Sequence, residues 1–325
     1  MMLQPPNSIN LFAERTKCPI CSSSRLETLL KLSYESENMR KFISLEQTFK
    51  HDFWHDFDQG YFNGQFFKAV KCINCDFIFQ ANVFNETGMK LLYDKWIDPQ
   101  ATLERHKKLN LPTKQSLEHT QRLNLVLRHF SDISNIEVLD WGGGFGDFCA
   151  MAKICGVNIT ALEFSDERAA HLESREIPAL RINELQQKHY HFINLNQVLE
   201  HVTEPVGLLR EIQQFLRDDG ILYVSVPKCT QAERLLRSGI LSQKTFDCLS
   251  PQHINAFTNK TLRMACNAAG FRVLFAVNPQ PVLFFNQQNW RGPIKEILKN
   301  IVRPLSYFFL GTGLFVGKST KRRNH

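Results

Sequence analysis

The 325-residue chain has no apolar run long enough to cross a bilayer. Its longest strongly apolar stretch near the end, residues 304–317, is 14 uncharged residues interrupted by glycines. A spanning helix needs about 20, so a buried strand is expected there and no membrane span. Residues 1–20 contain no apolar stretch of signal-peptide length, so no export signal is expected and the cytoplasm is the expected location. Strong charge of one sign is also missing. The net charge of +7 comes partly from Lys318, Lys321, Arg322 and Arg323 and partly from residues 105–128. So mild a balance reads as a solvated tail and a solvated helix face, and by itself identifies no nucleic-acid or lipid partner. Compositional extremes are absent as well, with 43% hydrophobic and 22% charged residues. That excludes a disordered, collagenous or disulfide-scaffold protein. The length fits roughly two domains at about 150 residues each.

Nine cysteines is an odd number, and without a secretion signal a disulfide framework is not expected. Four fall into two pairs of equal spacing, Cys18-Pro19-Ile20-Cys21 and Cys72-Ile73-Asn74-Cys75. Each C-x-x-C can turn as a knuckle that aims two thiolates at one point, and two knuckles make a closed tetrahedral zinc site. Such a site supplies folding energy to a small module rather than catalysis. The intervening loop of 50 residues holds His51 and His55, either of which could replace a cysteine. The remaining cysteines, Cys149, Cys155, Cys229, Cys248 and Cys266, sit in apolar or helical settings and read as small hydrophobes. Between the knuckles, Phe49, Phe53, Trp54, Phe57, Tyr61, Phe62, Phe66 and Phe67 form an aromatic-rich segment. It reads first as the core of a module with little core of its own, and second as a surface that stacks on bases or sugars.

From residue 136 the pattern changes to strand, glycine-rich turn, helix and strand, the opening of a doubly wound parallel sheet. Ligands of such sheets sit at the strands' carboxyl ends, where glycines admit close backbone approach and the next helix offers free N–H groups. A dinucleotide fingerprint laid on Gly142 and Gly144 needs glycine at 147, where the chain has Asp147. The actual spacing is Asp140-x-Gly142-x-Gly144-x-Gly146, with Glu163 17 residues further on and placed to accept hydrogen bonds from a ribose diol.

This arrangement resembles the first motif and the following acidic position of class I S-adenosylmethionine-dependent methyltransferases. The likeness continues at Asn196-Gln197-Val198-Leu199-Glu200-His201-Val202, at Pro205 opening a helix, and at Ser250-Pro251-Gln252-His253-Ile254-Asn255. Bacterial small-molecule methyltransferases with two N-terminal C-x-x-C pairs, sugar methyltransferases among them, resemble the chain over most of its length. The resemblance implies a Rossmann-like, doubly wound, mostly parallel seven-stranded α/β sheet with a small N-terminal zinc module. It implies S-adenosylmethionine as cofactor, contacted by Asp140, Gly142, Gly144, Gly146, Glu163, Phe164, Asn183 and Gln197. His191 stands where the family usually has an aspartate before the fourth strand, and Asn183 takes the place of its third-strand acid. Methylases of adenine and cytosine amino groups share an Asn/Asp-Pro-Pro-Tyr/Phe motif after the fourth strand. Asn196-Gln197-Val198-Leu199 lacks it, which disfavours nucleic acid as acceptor.

The expected organisation is a zinc module over residues 1–98, a helical linker over 99–130 broken at Pro112, and a methyltransferase domain over 131–325. A last antiparallel strand is expected at or near the sheet edge within residues 307–317. Residues 228–255 are expected as a lid, and 279–304 as a second insert with a helix over 294–301. Methyl transfer is an in-line displacement that requires the acceptor to be held and deprotonated, and histidine suits the second task at neutral pH. His201 and His253 are the candidate base or acceptor-positioning groups, with Glu200 orienting His201. A small polar metabolite is the expected acceptor; the alternatives are an RNA or protein methyltransferase, or a scaffold that binds the cofactor without turnover.

Overall fold

A computed structural model describes residues 10–50, 53–56, 60–109, 111–130, 135–185, 190–276 and 312–319. The insert 279–304, with its expected helix, and His51 lie outside the described residues. Among the described residues no helix is long and apolar enough to cross a membrane.

At the front, β1 (Phe12–Glu14) pairs with β5 (Asn82–Phe84) as an antiparallel ribbon. β2 (Leu26–Ser33), β3 (Phe66–Cys72) and β4 (Ile78–Gln80) form an antiparallel sheet. In β3 the sequence FFKAVKC is covered on both faces: Phe67 and Ala69 join the front core, whereas Val70 and Cys72 join the core shared with the main sheet. Of the aromatic segment, Phe53, Phe62 and Phe67 belong to the front core and Phe49, Trp54 and Tyr61 pack against it, while Phe57 lies outside the described residues. Phe53, Phe62 and Phe67 are fully buried, and the Phe53 and Phe62 ring centroids lie 5.4 and 5.2 Å from that of Trp96. Each buried phenylalanine contributes about 1.5–3 kcal/mol, which matters in a layer with so few strands. The helix Glu86–Leu91, capped by Asn85, continues as a π-helical turn, Leu92–Trp96.

Behind lies the main sheet: β6 (Glu137–Trp141), β7 (Asn158–Leu162), β8 (Ala179–Leu180), β9 (Tyr190–Asn196) and β10 (Leu216–Val226). After the short β11 (Asn255–Ala256) come β12 (Phe271–Ala276) and β13 (Thr312–Lys318). The order is β12-β13-β10-β9-β6-β7-β8, seven strands, parallel except that β13 runs antiparallel to both its neighbours. The doubly wound, mostly parallel sheet expected from the sequence is present. β13 stands one place in from the edge, which β12 occupies. The central strands read as nearly continuous apolar runs because helices cover both their faces; residues 221–226 of β10 are all buried. The expected turn at residues 217–220 falls inside β10, where pairing with β9 slips between Leu216 and Ile221. The turn chemistry shows as a bulge rather than a strand boundary.

Two features join the layers. β11 leaves the main sheet's side of the chain and becomes the outer strand of the front sheet, with Asn255 opposite Phe79 and Ala256 opposite Ile78. One continuous core runs from Cys18, Val70 and Phe77 through Phe257 to Trp141 and Leu195. The segment expected as a lid is docked instead. Its helices Ala232–Arg237 and Gln243–Cys248 bury Leu236 and Phe246 in the front core, and Arg237 grips Glu27 of β2 with two bonds of 2.7 and 2.8 Å. The helical stretch after residue 98 divides into Pro99–Lys108 and Leu111–Leu127, so Pro112 falls in the first turn of the second helix. Proline lacks an N–H that this turn does not need, and the break comes before it. Cys149, Cys229, Cys248 and Cys266 are buried as expected of small hydrophobes, whereas Cys155 is exposed where its helix ends.

Candidate active site

The glycine loop leaves β6 and enters the helix Asp147–Ile154. Gly142, Gly144 and Gly146 have φ of +82°, +56° and +78°, values that favour glycine. Their surroundings differ. A Cβ on Gly143 or Gly146 would press within 2.7 Å of Ala161 or Ile177, so those two let the loop pack on β7 and its following helix. A Cβ on Gly144 would meet only the Gly142 carbonyl, at 3.9 Å; this glycine borders open space, as a cradle for a ligand must. Gly142 faces Val198, just beyond β9.

Glu163, immediately after β7, is almost fully buried. Its carboxylate accepts from Gly144 N–H at 2.8 Å, Phe164 N–H at 2.9 Å and Ser165 N–H at 3.1 Å. A carboxylate offers about four acceptor positions, so room for a further donor remains. The neighbouring Phe164 is 59% exposed, an unusual position for a large apolar ring. Asp140 is buried beneath the loop, accepting from Asn194 Nδ2 at 2.6 Å and from the Cys149 thiol at 3.4 Å. Burial raises its pKa to about 6 in spite of these donors. Asn183 lies exposed on the turn after β8, and exposed Gln197, with φ +57°, donates its N–H to the Ser225 carbonyl at 2.8 Å. A left-handed non-glycine residue is a stored strain of the kind that gathers at functional sites.

Glu200 and His201 lie on the single turn Leu199–His201 after β9, and His253 comes from the segment before β11. The three residues predicted from separate stretches are brought together: one ligand-type atom from each lies within 4.8 Å of the others. The imidazole rings of His201 and His253 are 4.8 Å apart, and His201 Nε2 is 3.9 Å from Glu200 Oε1. His201 Nδ1 contacts the Gln252 carbonyl at 2.8 Å, and His253 Nδ1 contacts the Asp247 carbonyl at 2.7 Å. A carbonyl only accepts, so each Nδ1 carries the hydrogen and each Nε2 keeps its lone pair. Burial holds His201 neutral, lowering its pKa to about 3 with help from His253, and lowers His253 too. Glu200 is 1% exposed and neither of its side-chain oxygens has a hydrogen-bond partner among the described residues. Burial raises its pKa to about 8.

The front layer builds part of this site. Tyr93, on the π-helical turn, places its hydroxyl 3.0 Å from His201 Nδ1. π-Helical turns recur at functional sites because the extra residue redirects a side chain. Gln80 donates its side-chain N–H to the carbonyls of Ser250 and His253, and Arg15 donates to Asn255 Oδ1 at 2.9 Å. Asn255 in turn donates to the carbonyls of Leu199 and Val202 at 2.8 and 2.6 Å, tying the His253 segment to the turn that holds Glu200 and His201.

Three contributors escaped the sequence reading. Tyr93 looked like one residue of an ordinary helix. His106 Nε2 lies 2.7 Å from an Asp147 carboxylate oxygen, and its ring packs 4.9 Å from that of Phe145 in the glycine loop. Arg122 is buried against Tyr223, donating to Asn194 Oδ1 at 2.8 Å and so bracing the residue that holds Asp140. The only signal in the sequence is the presence of histidine and arginine in helices otherwise read as a polar connection.

The four predicted cysteines meet. Cys18 and Cys75 sulfurs are 3.5 Å apart, as are those of Cys21 and Cys72, and all four lie within 4.8 Å of one another. A tetrahedral zinc with bonds of about 2.3 Å has sulfur–sulfur edges of about 3.8 Å, so the set fits. The two knuckles match: Ser22 N–H returns to the Cys18 carbonyl at 2.8 Å and Asp76 N–H to the Cys72 carbonyl at 2.9 Å. Both return residues have positive φ. The hydrogen bond from Cys75, with backbone N–H groups of Cys21 and Ile20, outweighs burial and lowers the Cys18 pKa to about 5. His55 is not among the clustered ligand residues.

The sheet order and the glycine loop define a nucleoside-binding α/β domain of the methyltransferase type. The family model described as "Methyltransferase domain" matches residues 99–275, more than half of the chain. The chain therefore belongs to the methyltransferase domain family, an S-adenosylmethionine-dependent enzyme class. A ubiquinone biosynthesis O-methyltransferase of Acinetobacter baylyi is 26% identical over 116 residues, 32% of this chain and 49% of that protein. The match thus spans about half the length of that curated relative. Similar solved structures include the plantazolicin methyltransferase BpumL in complex with SAH, at TM-score 0.47 and 14% identity, covering 70% of this chain and 93% of that one. Another is a SAM-dependent methyltransferase from Archaeoglobus fulgidus, at TM-score 0.39 and 16% identity, covering 62% and 94%.

Proposed function

We propose that the chain transfers the methyl group of S-adenosylmethionine to a small polar metabolite, with a nucleotide-linked sugar as the form its motifs favour. One observation carries this reading. Two imidazole rings, 4.8 Å apart, and a buried carboxyl group with no hydrogen-bond partner among the described residues meet at the turn that leaves β9, beside the glycine loop. Parallel sheets of this kind bind their ligands at these strand ends.

Bound in the loop, the cofactor supplies a methyl carbon carried on a cationic sulfonium. Gly142 and Gly144 give its backbone-facing side close approach, and the remaining acceptor capacity of Glu163 takes the ribose hydroxyls. Phe164 offers its exposed ring as an apolar face for adenine, with Asn183 and Gln197 at the rim. Asp140 acts from below, where its bond with Asn194 holds the strand end and the loop in one arrangement. His201, His253 and Glu200 hold the acceptor in line and make loss of its proton easy. Tyr93 and Gln252 fix the His201 ring. Cys18, Cys21, Cys72 and Cys75 hold a structural zinc that fixes the front layer and, through Gln80 and Arg15, the His253 segment.

The test is incubation of the protein with cell extract and isotopically labelled cofactor, followed by mass spectrometry for metabolites that gain one labelled methyl. Label appearing only in RNA or protein replaces the small-molecule acceptor with a macromolecule. Cofactor binding with no labelled product from any fraction leaves a non-catalytic scaffold.

A further inference from the structure

The geometry points to a divalent metal site formed by Glu200, His201 and His253, separate from the cysteine cluster, with positions open for a hydroxyl-bearing acceptor. This deepens the proposed function and rests on it: the cluster activates the acceptor through a bound cation rather than by taking its proton onto an imidazole.

Three observations converge. The first is ligand identity: two imidazoles and one carboxylate within 4.8 Å of one another are a set that binds first-row divalent cations with coordination positions to spare. The second is orientation. Metal-bound histidines characteristically donate their other ring N–H to a carbonyl or carboxylate, which fixes the tautomer and aims the remaining lone pair. His201 does this to Gln252 and His253 to Asp247, at 2.8 and 2.7 Å, although the two carbonyls belong to different parts of the loop. The third is Glu200. A carboxyl group 1% exposed, with neither oxygen bonded among the described residues, is a costly arrangement. A cation held between it and the two imidazoles supplies the missing partner. Bonds of about 2.0–2.2 Å set neighbouring ligand atoms roughly 3 Å apart, so the cluster closes on an ion by side-chain adjustments of about 1–2 Å.

The two metal sites differ in chemistry. Four thiolates complete a tetrahedron and leave nothing open. One carboxylate and two imidazoles leave positions for water and for acceptor oxygen. A hydroxyl bound there loses its proton to solvent at a lower pH than a free one. Its oxygen then bonds to the methyl carbon as the carbon–sulfur bond breaks, the electron pair passing to sulfur. The products are a methyl ether and the neutral thioether form of the cofactor, so the site favours an oxygen acceptor.

The experiment starts from full-length protein carrying one zinc per chain and titrates it with cobalt(II) by calorimetry and visible absorption. One further equivalent of cobalt is expected, with weak ligand-field bands and no thiolate-to-metal charge transfer. Glu200→Gln and His253→Ala are each expected to weaken its binding at least tenfold. Binding of S-adenosylhomocysteine in both variants serves as the check on folding. No second equivalent, or uptake unchanged in both variants, overturns the metal site. A protein that takes up cobalt yet binds no S-adenosylhomocysteine sinks the methyltransferase reading instead, so the two failures are distinct.

Discussion

Gly144 donates its backbone N–H to Glu163 Oε2 at 2.8 Å, so the glycine loop and the acid after the second parallel strand are one hydrogen-bonded unit. Glu163 therefore holds the loop, and the ribose contact proposed for it would be a second task. Glu163→Ala is expected to weaken S-adenosylhomocysteine binding at least tenfold in calorimetry, since hydrogen bonds to a charged group contribute about 1.5–3 kcal/mol. Glu163→Gln should weaken it as well, because an amide set against three N–H donors must turn its own N–H₂ toward one of them. Unchanged affinity in both variants contradicts the ribose role.

Purified protein is expected to hold one zinc in the cysteine cluster, and Cys72→Ser to lose it, as read by metal analysis. Because Cys72 ends β3 and sits in the core shared with the main sheet, zinc loss should also lower the melting temperature. Full metal retention in the variant would reject the four-cysteine site.

His201→Ala and His253→Ala should each lower kcat by about 10²–10⁴ while leaving S-adenosylhomocysteine affinity within twofold or so, since neither histidine is among the residues proposed to hold the cofactor. Tyr93→Phe keeps the ring and removes a single hydroxyl contact, so a fall of about tenfold or less is expected. A rate untouched in both histidine variants would remove the cluster from catalysis.

Stability should fall in mild acid through His119. It is buried beside Phe148, and burial, with Arg122 nearby, lowers its pKa from 6.5 to about 3. A group with a depressed folded pKa gives stability that is complete above the unfolded value and is lost as pH falls toward the folded one. Its share of the loss between pH 7 and pH 5 is about 2 kcal/mol. Urea denaturation of the wild type and His119→Gln at both pH values should show the variant losing less by that margin; equal losses would contradict it.

What the sequence made readable was local. Asp140 through Gly146 announces itself because a tight turn, a close packing and a ligand mouth each require glycine within a few residues. The two C-x-x-C knuckles and the helix opened by Pro205 are equally short-range signals. The contacts it hid join distant residues without periodicity: Tyr93 with His201, His106 with Asp147, Arg122 with Asn194. Tyr93, His106 and Arg122 each sit on a helix whose composition is satisfied equally well by solvent, so nothing local distinguishes a working side chain from a solvating one. The docked helices of residues 228–255 were hidden for a related reason. Length suggests a lid, but the apolar positions that pin Leu236 and Phe246 show only once a front core exists to receive them.

The outer strand of the front sheet, β11, is donated by the same few residues that carry His253. If the proposed site is the reaction centre, acceptor preference is open to remote tuning: Gln80 bonds the His253 carbonyl directly, and Arg15 reaches the Leu199–His201 turn through Asn255. It also makes the N-terminal layer a poor object for cassette exchange. A chimera that borrowed this layer from a distant cousin would have to recreate a sheet edge fitted to the host's own Asn255–Ala256, or leave the His253 segment without its anchor.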